Sequence, residues 1–283
     1  MNNLQKLPVA EWIESATKSA TRGGKGLFHG IRVVGNGLIN GLEDLLISIP
    51  PLVFILVLTG LALFLKRKEK KWGLGIFVFL GLMFVENQGL WSDFISTLAL
   101  ILVASFFAIV IGVPLGILMG KSDTAETILK PILDFMQTMP AFVYLIPAVA
   151  FFGIGVVPGM VASIIFALPP TVRFTSLALR QIPKELDEAA ISFGATPSQK
   201  LFKVELPLAK STIMAGINQT VMLSLSMVVI ASMIGAPGLG RRVVSALQRA
   251  NVGPGFVSGL SIVVLAIIMD RFTQIFSKDK NKQ

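Results

Sequence analysis

Gly120-Lys121-Ser122 has the residue types of a phosphate-binding loop, in which backbone N–H groups cradle phosphate oxygens and a lysine neutralises them. Its spacing is wrong for that task. The loop needs a second glycine five residues before the glycine of the triplet, but position 115 is Leu115 and Gly116 comes one residue late. The triplet also closes a long apolar run instead of following a strand. Nucleotide hydrolysis is therefore not expected of this chain. The chain has no Cys, and its one His is His29, so thiolate metal sites, Cys nucleophiles and histidine metal clusters are not expected either. No nucleophile–base pair stands out. Ion-coupled carriers hold ionisable groups deep in their spans. Here Glu86, Asp134 and Asp270 fall near the ends of apolar runs, where interfacial placement, paired with Lys130 or Arg271, is the simpler reading. We expect no catalytic residue, no metal ligand and no cofactor in this chain.

The elements around these residues belong in a bilayer. Only 14% of the 283 residues are charged and 53% are hydrophobic, against about 25% charged in a soluble domain. Such a chain cannot cover a water-facing surface. Its net charge of +9 is better explained by basic loops near anionic lipid than by nucleic acid.

About seven segments have the length and composition of membrane spans, for which roughly 20 apolar residues are needed. They are 45–65, 72–91, 94–120, 131–153, 157–176, 211–240 and 250–269. The second is the weakest, with 14 uncharged residues before Glu86. Residues 135–172 form 38 uncharged positions, which as one helix would reach about 57 Å, nearly twice the hydrocarbon core. The Gly- and Pro-rich stretch from Gly153 to Gly159 is the expected break. No internal repeat is evident.

Basic residues orient the chain. If the cluster Lys66-Arg67-Lys68-Glu69-Lys70-Lys71 is cytoplasmic, the inner segments carry 17 Lys and Arg and the outer ones 8, as the positive-inside rule requires. The N-terminus is then outside and the C-terminus inside, with Arg241, Arg242 and Arg249 a local exception. The first 44 residues lack the apolar core and cleavage site of a secretory signal. Toward their end and into the first span, Leu27, Ile31, Val34, Leu38, Leu42 and Leu45 recur at three and four, the period of an amphipathic helix lying in the outer interface. Residues 1–26 show no clear period and read equally well as a loose tail.

The segment 183–207 is polar between two apolar runs. Pro183 suits a first helical turn, and Glu185, Asp187 and Glu188 favour the positive end of a helix dipole. Gly194 ends that helix as a residue able to take φ > 0. Thr196-Pro197-Ser198-Gln199 reads as a second start with a capping box. Two short helices joined by a tight turn are expected, with Pro207 disturbing the end of the second.

Glu188-Ala189-Ala190, Gly194, Val204 and Leu206-Pro207 resemble the EAA loop of ABC-importer permeases, with Val204 in place of the commoner Ile. The strings from Met136 to Pro147, Ala167 to Arg173, Ile213 to Thr220 and Ser226 to Gly235 look like the glycine betaine/proline betaine (osmoprotectant) group of that family. The likeness covers roughly residues 90–276. It implies an all-α polytopic membrane protein with a type I ABC-importer (MetI-like) core at 92–276. Residues 45–91 would add two N-terminal spans, 1–44 an extracellular segment, and 277–283 a cytoplasmic tail. It implies a cytoplasmic ABC ATPase partner, in two copies, an extracellular substrate-binding protein, a permease homodimer in a bacterial cell membrane, and no contact with nucleic acid.

Under this resemblance Glu188, Ala189, Ala190, Gly194, Leu206 and Pro207 couple the chain to the ATPase. The implied solute is a quaternary ammonium compound, which binds well against aromatic faces. Met139, Phe142 and Tyr144, and Asn218, Ser224 and Ser226 on the sixth span, are the candidate passage residues, although ordinary helix packing explains each one singly. Gly238, Arg241 and Arg242 are candidates for an outer gate or for contact with the binding protein, with binding of outer-leaflet phosphates as the competing reading. The rival functions are an ion-coupled carrier acting alone and a non-transporting assembly or sensor subunit.

Overall fold

The computed structural model describes residues 7–65 and 72–277; the basic cluster at 66–71 used for orientation and most of the expected tail at 277–283 lie outside them. The described residues form helices and the turns between them. The chain enters through α1 (Val9–Gly23) and α2 (Lys25–Ile47), then α3 (Pro51–Leu65) and α4 (Gly73–Asn87). The core elements are α5 (Trp91–Lys121), α6 (Asp123–Thr138), α7 (Leu145–Phe152) and α8 (Val156–Arg180). After α9 (Lys184–Ser192) and α10 (Pro197–Lys200) come α11 (Leu206–Ala231), α12 (Leu239–Gln248) and α13 (Val252–Ser277).

The centre of the molecule is α8, packed between α5 and α11. Lipid tails are as apolar as Leu, so helices in a membrane associate through close packing of small residues. Gly112, Gly116 and Gly120 recur every fourth residue along α5 and lie on Thr171, Thr175 and Leu179 of α8. A Cβ at Gly116 would stand 2.5 Å from the Thr175 Cβ, so the backbones meet with no side chain between them. On the other flank of α8, Gly216 of α11 presses against Phe174. Thr171 Oγ1 and Thr220 Oγ1 are 2.7 Å apart, and Thr220 donates to Ala167 O at 2.9 Å. Thr171 is therefore the donor in that pair.

The seven apolar segments are present, but several are not straight spans. Among the described residues, four helices are long and apolar enough to cross: α5, α8, α13 and the continuous helix from Pro197 to Ile234. Two bent pairs raise this to six, and the shorter α4 supplies the seventh apolar segment. The first expected span, 45–65, is broken where α2 meets α3 at a 93° bend. The cause is Pro50-Pro51, which removes two N–H donors and disfavours helical geometry in the preceding residue. The fourth, 131–153, turns by 109° between α6 and the following helical stretch. Met139 is held extended (φ −70°, ψ 132°) ahead of Pro140, as the residue before a proline tends to be. The break between Gly153 and α8 matches expectation, with φ of +78° at Gly153 and +132° at Gly155.

Two N-terminal expectations are refined. Residues 9–23 are helical, so most of the stretch that reads equally as a loose tail is ordered. The buried stripe of α2 is turned by about one residue from the expected one. Gly35 and Ile39 are its buried residues, with Phe28, Ile31, Leu42 and Leu46 packing on the core, while Leu27, Val34, Leu38 and Leu45 are exposed. Gly35 lies against Met160 and Val157 at the start of α8, and Phe28 stacks on Phe151 with ring centroids 4.9 Å apart. α2 thus covers the end of the bundle opposite α9.

Candidate functional site

α9 leaves the bundle at the C-terminal end of α8 and none of its described side chains is buried. Pro183 sits just before its first turn in an extended conformation, so Lys184 opens the helix. Glu188 and Ala189 are exposed, and Leu186, Ile191 and Phe193 add apolar surface beside them, Phe193 being 92% exposed. The turn that follows is fully hydrogen-bonded. Ala195 N–H donates to Ala190 O at 3.0 Å and Gly194 N–H to Ile191 O at 2.9 Å, while Gly194 takes φ +74°. This is the Schellman closure of a helix on a left-handed residue. The capping box expected at Thr196 is present in both directions, Gln199 N–H to Thr196 Oγ1 at 3.3 Å and Thr196 N–H to Gln199 Oε1 at 3.0 Å.

The second helix of the pair is not short. From Pro197 it runs without a stop to Ile234, so its capped start is also the start of a membrane-crossing helix. Pro207 disturbs it in the middle, not at an end. Pro207 offers no N–H to Lys203 O, and its ring would crowd that carbonyl. The helix widens to a π turn over Leu201–Glu205, with Leu206 N–H donating to Leu201 O. Leu206 packs inward on Ala178, Leu179, Ala209 and Ile213, while Pro207 is exposed. The six coupling candidates therefore divide: Glu188, Ala189, Ala190 and Gly194 belong to the projecting helix and its turn, while Leu206 and the exposed Pro207 follow the π turn, Leu206 packing on the bundle.

Ion pairs bind this end together. Arg180 at the foot of α8 donates to Met119 O at 2.9 Å and pairs with Asp123 at 2.9 Å and Glu126 at 3.0 Å. Arg173 pairs with Asp134, which therefore does not depend on Lys130. Lys121 pairs with Glu205 inside the π turn.

The six passage candidates do not line one surface. Tyr144 is buried, donates its hydroxyl to Met136 O and meets Phe166 edge-on at 5.6 Å. It closes the Met139–Pro140 bend. Met139 is half-buried and packs on the core, whereas Phe142 is exposed. Asn218 faces α13, donating to Asp270 Oδ1 at 2.9 Å. Ser224 is fully buried, and Ser226 is exposed. What α11 does present is a stripe at Ala215, Gln219, Met222 and Ser226, none of them buried. Its spacing of three, four and seven marks one helix face. Gln219 on this face is missed by a search for single polar residues; its i, i+7 relation to Ser226 was the available signal.

At the opposite end, the candidates Arg241 and Arg242 lie on the amphipathic helix α12. Gly238 (φ +107°) is a packing residue: a Cβ there would fall 2.3 Å from Thr97 Oγ1, which accepts Leu239 N–H at 2.8 Å. Arg242 pairs with Asp93 at 2.7 Å, and Arg241 is exposed. Arg242 and Arg249 edge a cavity of about 500 Å³ that also takes in Gln88, Leu90, Ser245 and Asn251.

Residues 112–282 match the family described as the binding-protein-dependent transport system inner membrane component. The glycine betaine/carnitine transport permease protein GbuB of Listeria monocytogenes is 56% identical over 98% of both chains. The glycine betaine/proline betaine transport system permease protein ProW of Escherichia coli is 47% identical over 98% of this chain and 77% of its own length. Among solved structures, a chain of the MetNI methionine ABC transporter in inward-facing conformations superposes with a TM-score of 0.57 at 26% identity, covering 70% of this chain and 98% of that one.

Proposed function

The chain belongs to the binding-protein-dependent transport system inner membrane components, and on that premise we propose that it is the permease subunit for glycine betaine or a related quaternary ammonium solute. Two copies stand around one passage, each served by a cytoplasmic ATPase subunit, and a loaded binding protein delivers the solute from outside. The chain hydrolyses nothing itself. The observation that carries the reading is the projecting helix α9, which exposes Glu188 and Ala189 together with the apolar Leu186, Ile191 and Phe193 and ends on a turn closed by hydrogen bonds. In water such a surface calls for a partner. The ATPase docks there, which makes this end cytoplasmic and puts α2 and α12 outside.

The open stripe of α11 with Gln219 and Ser226 faces the second copy across the passage. The aromatic ring offered to a quaternary ammonium is that of Phe142, because the ring of Tyr144 is used in the fold. Recognition within the passage is weak and tight capture belongs to the binding protein. The test is uptake of labelled glycine betaine into proteoliposomes holding this chain with its ATPase and binding protein. Uptake should require ATP and all three components. Uptake by the chain alone on a proton or sodium gradient would overturn the proposal.

A further inference from the structure

Glu205 is the one charged residue among the fully buried side chains of the described chain, at 2% exposure. It lies in the π turn immediately before Leu206-Pro207, and Lys121 and Lys200 are its cationic neighbours, Lys200 Nζ standing 3.6 Å from Oε1. Its other oxygen, Oε2, has no hydrogen-bond partner. A buried carboxylate with half its acceptor capacity unused is costly, and pairs of this kind are retained where they serve a registry or a switch. The two lysines come from different bodies. Lys200 travels with the capped turn after α9, and Lys121 is the last residue of α5.

The triplet Gly120-Lys121-Ser122 gains an explanation here. Gly120 lets α5 close on Leu179 of α8, Ser122 caps α6 by accepting Ala125 N–H at 3.2 Å, and Lys121 is left to reach across to Glu205. Arg180 holds the same corner to α6 through Asp123 and Glu126. The Pro197 helix, which follows the α9 turn, meets α5 through this ion pair.

We propose that Glu205 is a positioning residue for energy coupling: its bond to Lys121 delivers movement of the α9 turn to α5, and the pair separates when the ATPases close. This rests on the permease reading above and names the linkage inside it. The π turn sits where the α9 turn joins the membrane-crossing helix, and such bulges recur at functional sites. The unsatisfied Oε2 keeps the paired state from being a deep trap.

The experiment uses the complete transporter in proteoliposomes, compared with a wild-type preparation that shows ATP-dependent uptake; without that uptake the permease reading fails and this test is not reached. Glu205→Gln and Lys121→Met should each lower uptake about tenfold. Basal ATP hydrolysis should stay within about twofold, and its stimulation by loaded binding protein should vanish. The exchanged pair Lys121→Glu with Glu205→Lys should recover at least a third of wild-type uptake, a rescue that simple loss of packing does not predict. Because a variant can fail to insert, the wild type is also treated with a hydrophobic carbodiimide, and the Lys121–Glu205 isopeptide is quantified by mass spectrometry. Its yield should drop at least fivefold on trapping the ATP-bound state. Wild-type uptake by both single variants, or equal crosslinking in the two states, would overturn the proposal.

Discussion

Gly116 of α5 and Thr175 of α8 approach until a Cβ on the glycine would lie 2.5 Å from the Thr175 Cβ and 2.7 Å from Val172 O. Both neighbours are fixed, one as backbone and one as a β-branched stem, so nothing flexible can yield.

A first prediction follows from that contact. Gly116→Val forces α5 and α8 apart, with an overpacking cost of about 1–3 kcal/mol. It should lower the thermal midpoint of the detergent-solubilised permease and reduce its amount in the membrane. Gly259→Ala is the matched control, since a Cβ at Gly259 meets nothing within 4 Å. Equal midpoints for the two variants would show that the close approach of α5 to α8 does not support the fold.

The turn after α9 gives a second. Gly194 holds φ +74° with no obstruction around its Cβ position, so the cost of a substitution there is conformational, not steric. Gly194→Val should strain the turn by about 1–2 kcal/mol, while Asn, which tolerates the left-handed region, should cost less. Membrane level should be kept in both variants. ATP-dependent uptake should fall strongly with Val and mildly with Asn. Uptake unchanged by Val would separate the turn from coupling.

Those two glycines differ in how far the sequence revealed them. Gly194 was legible because its signals are local: an acidic first turn, a glycine stop, and Thr196 and Gln199 at capping distance. Gly116 was not, because a glycine row every fourth residue acquires meaning only opposite its partner helix. The same distinction explains the bends. Apolar run length located seven segments, yet Pro50-Pro51 and Pro140 turn two of them by 93° and 109° without introducing a charge. Uncharged prolines pass unnoticed when spans are found by the absence of charge. The passage candidates are scattered over different faces for a related reason. Asn218, Ser224 and Ser226 are close in sequence, but Asn218 bonds to α13, Ser224 is fully buried and Ser226 is exposed, and only helical angle separates them.

A third prediction concerns the docking face. Phe193 is 92% exposed at the end of α9, and buried aromatic anchors at interfaces commonly contribute 2 kcal/mol or more. Phe193→Ser should weaken binding of the ATPase subunit to nanodisc-held permease by at least tenfold, measured by titration. Phe142→Ser, at an exposed site away from α9, should leave that affinity unchanged. If Phe193→Ser binds as tightly as wild type, the exposed ring belongs to some other contact.

The aromatic residues beside the α6–α7 bend supply a fourth. Tyr144→Phe removes one hydrogen bond, to Met136 O, worth about 0.5–1.5 kcal/mol. It should lower the thermal midpoint while leaving the concentration dependence of uptake alone. Phe142→Leu keeps apolar bulk but removes the ring face, and a quaternary ammonium loses about 0.5–2 kcal/mol when such a face is taken away. The apparent affinity for the solute should weaken by that amount, best read at saturating binding protein with the internal solute varied, because the outside step is dominated by capture in the binding protein. A shifted affinity in Tyr144→Phe with none in Phe142→Leu would return the aromatic contact to Tyr144 and require the α6–α7 bend to open during transport.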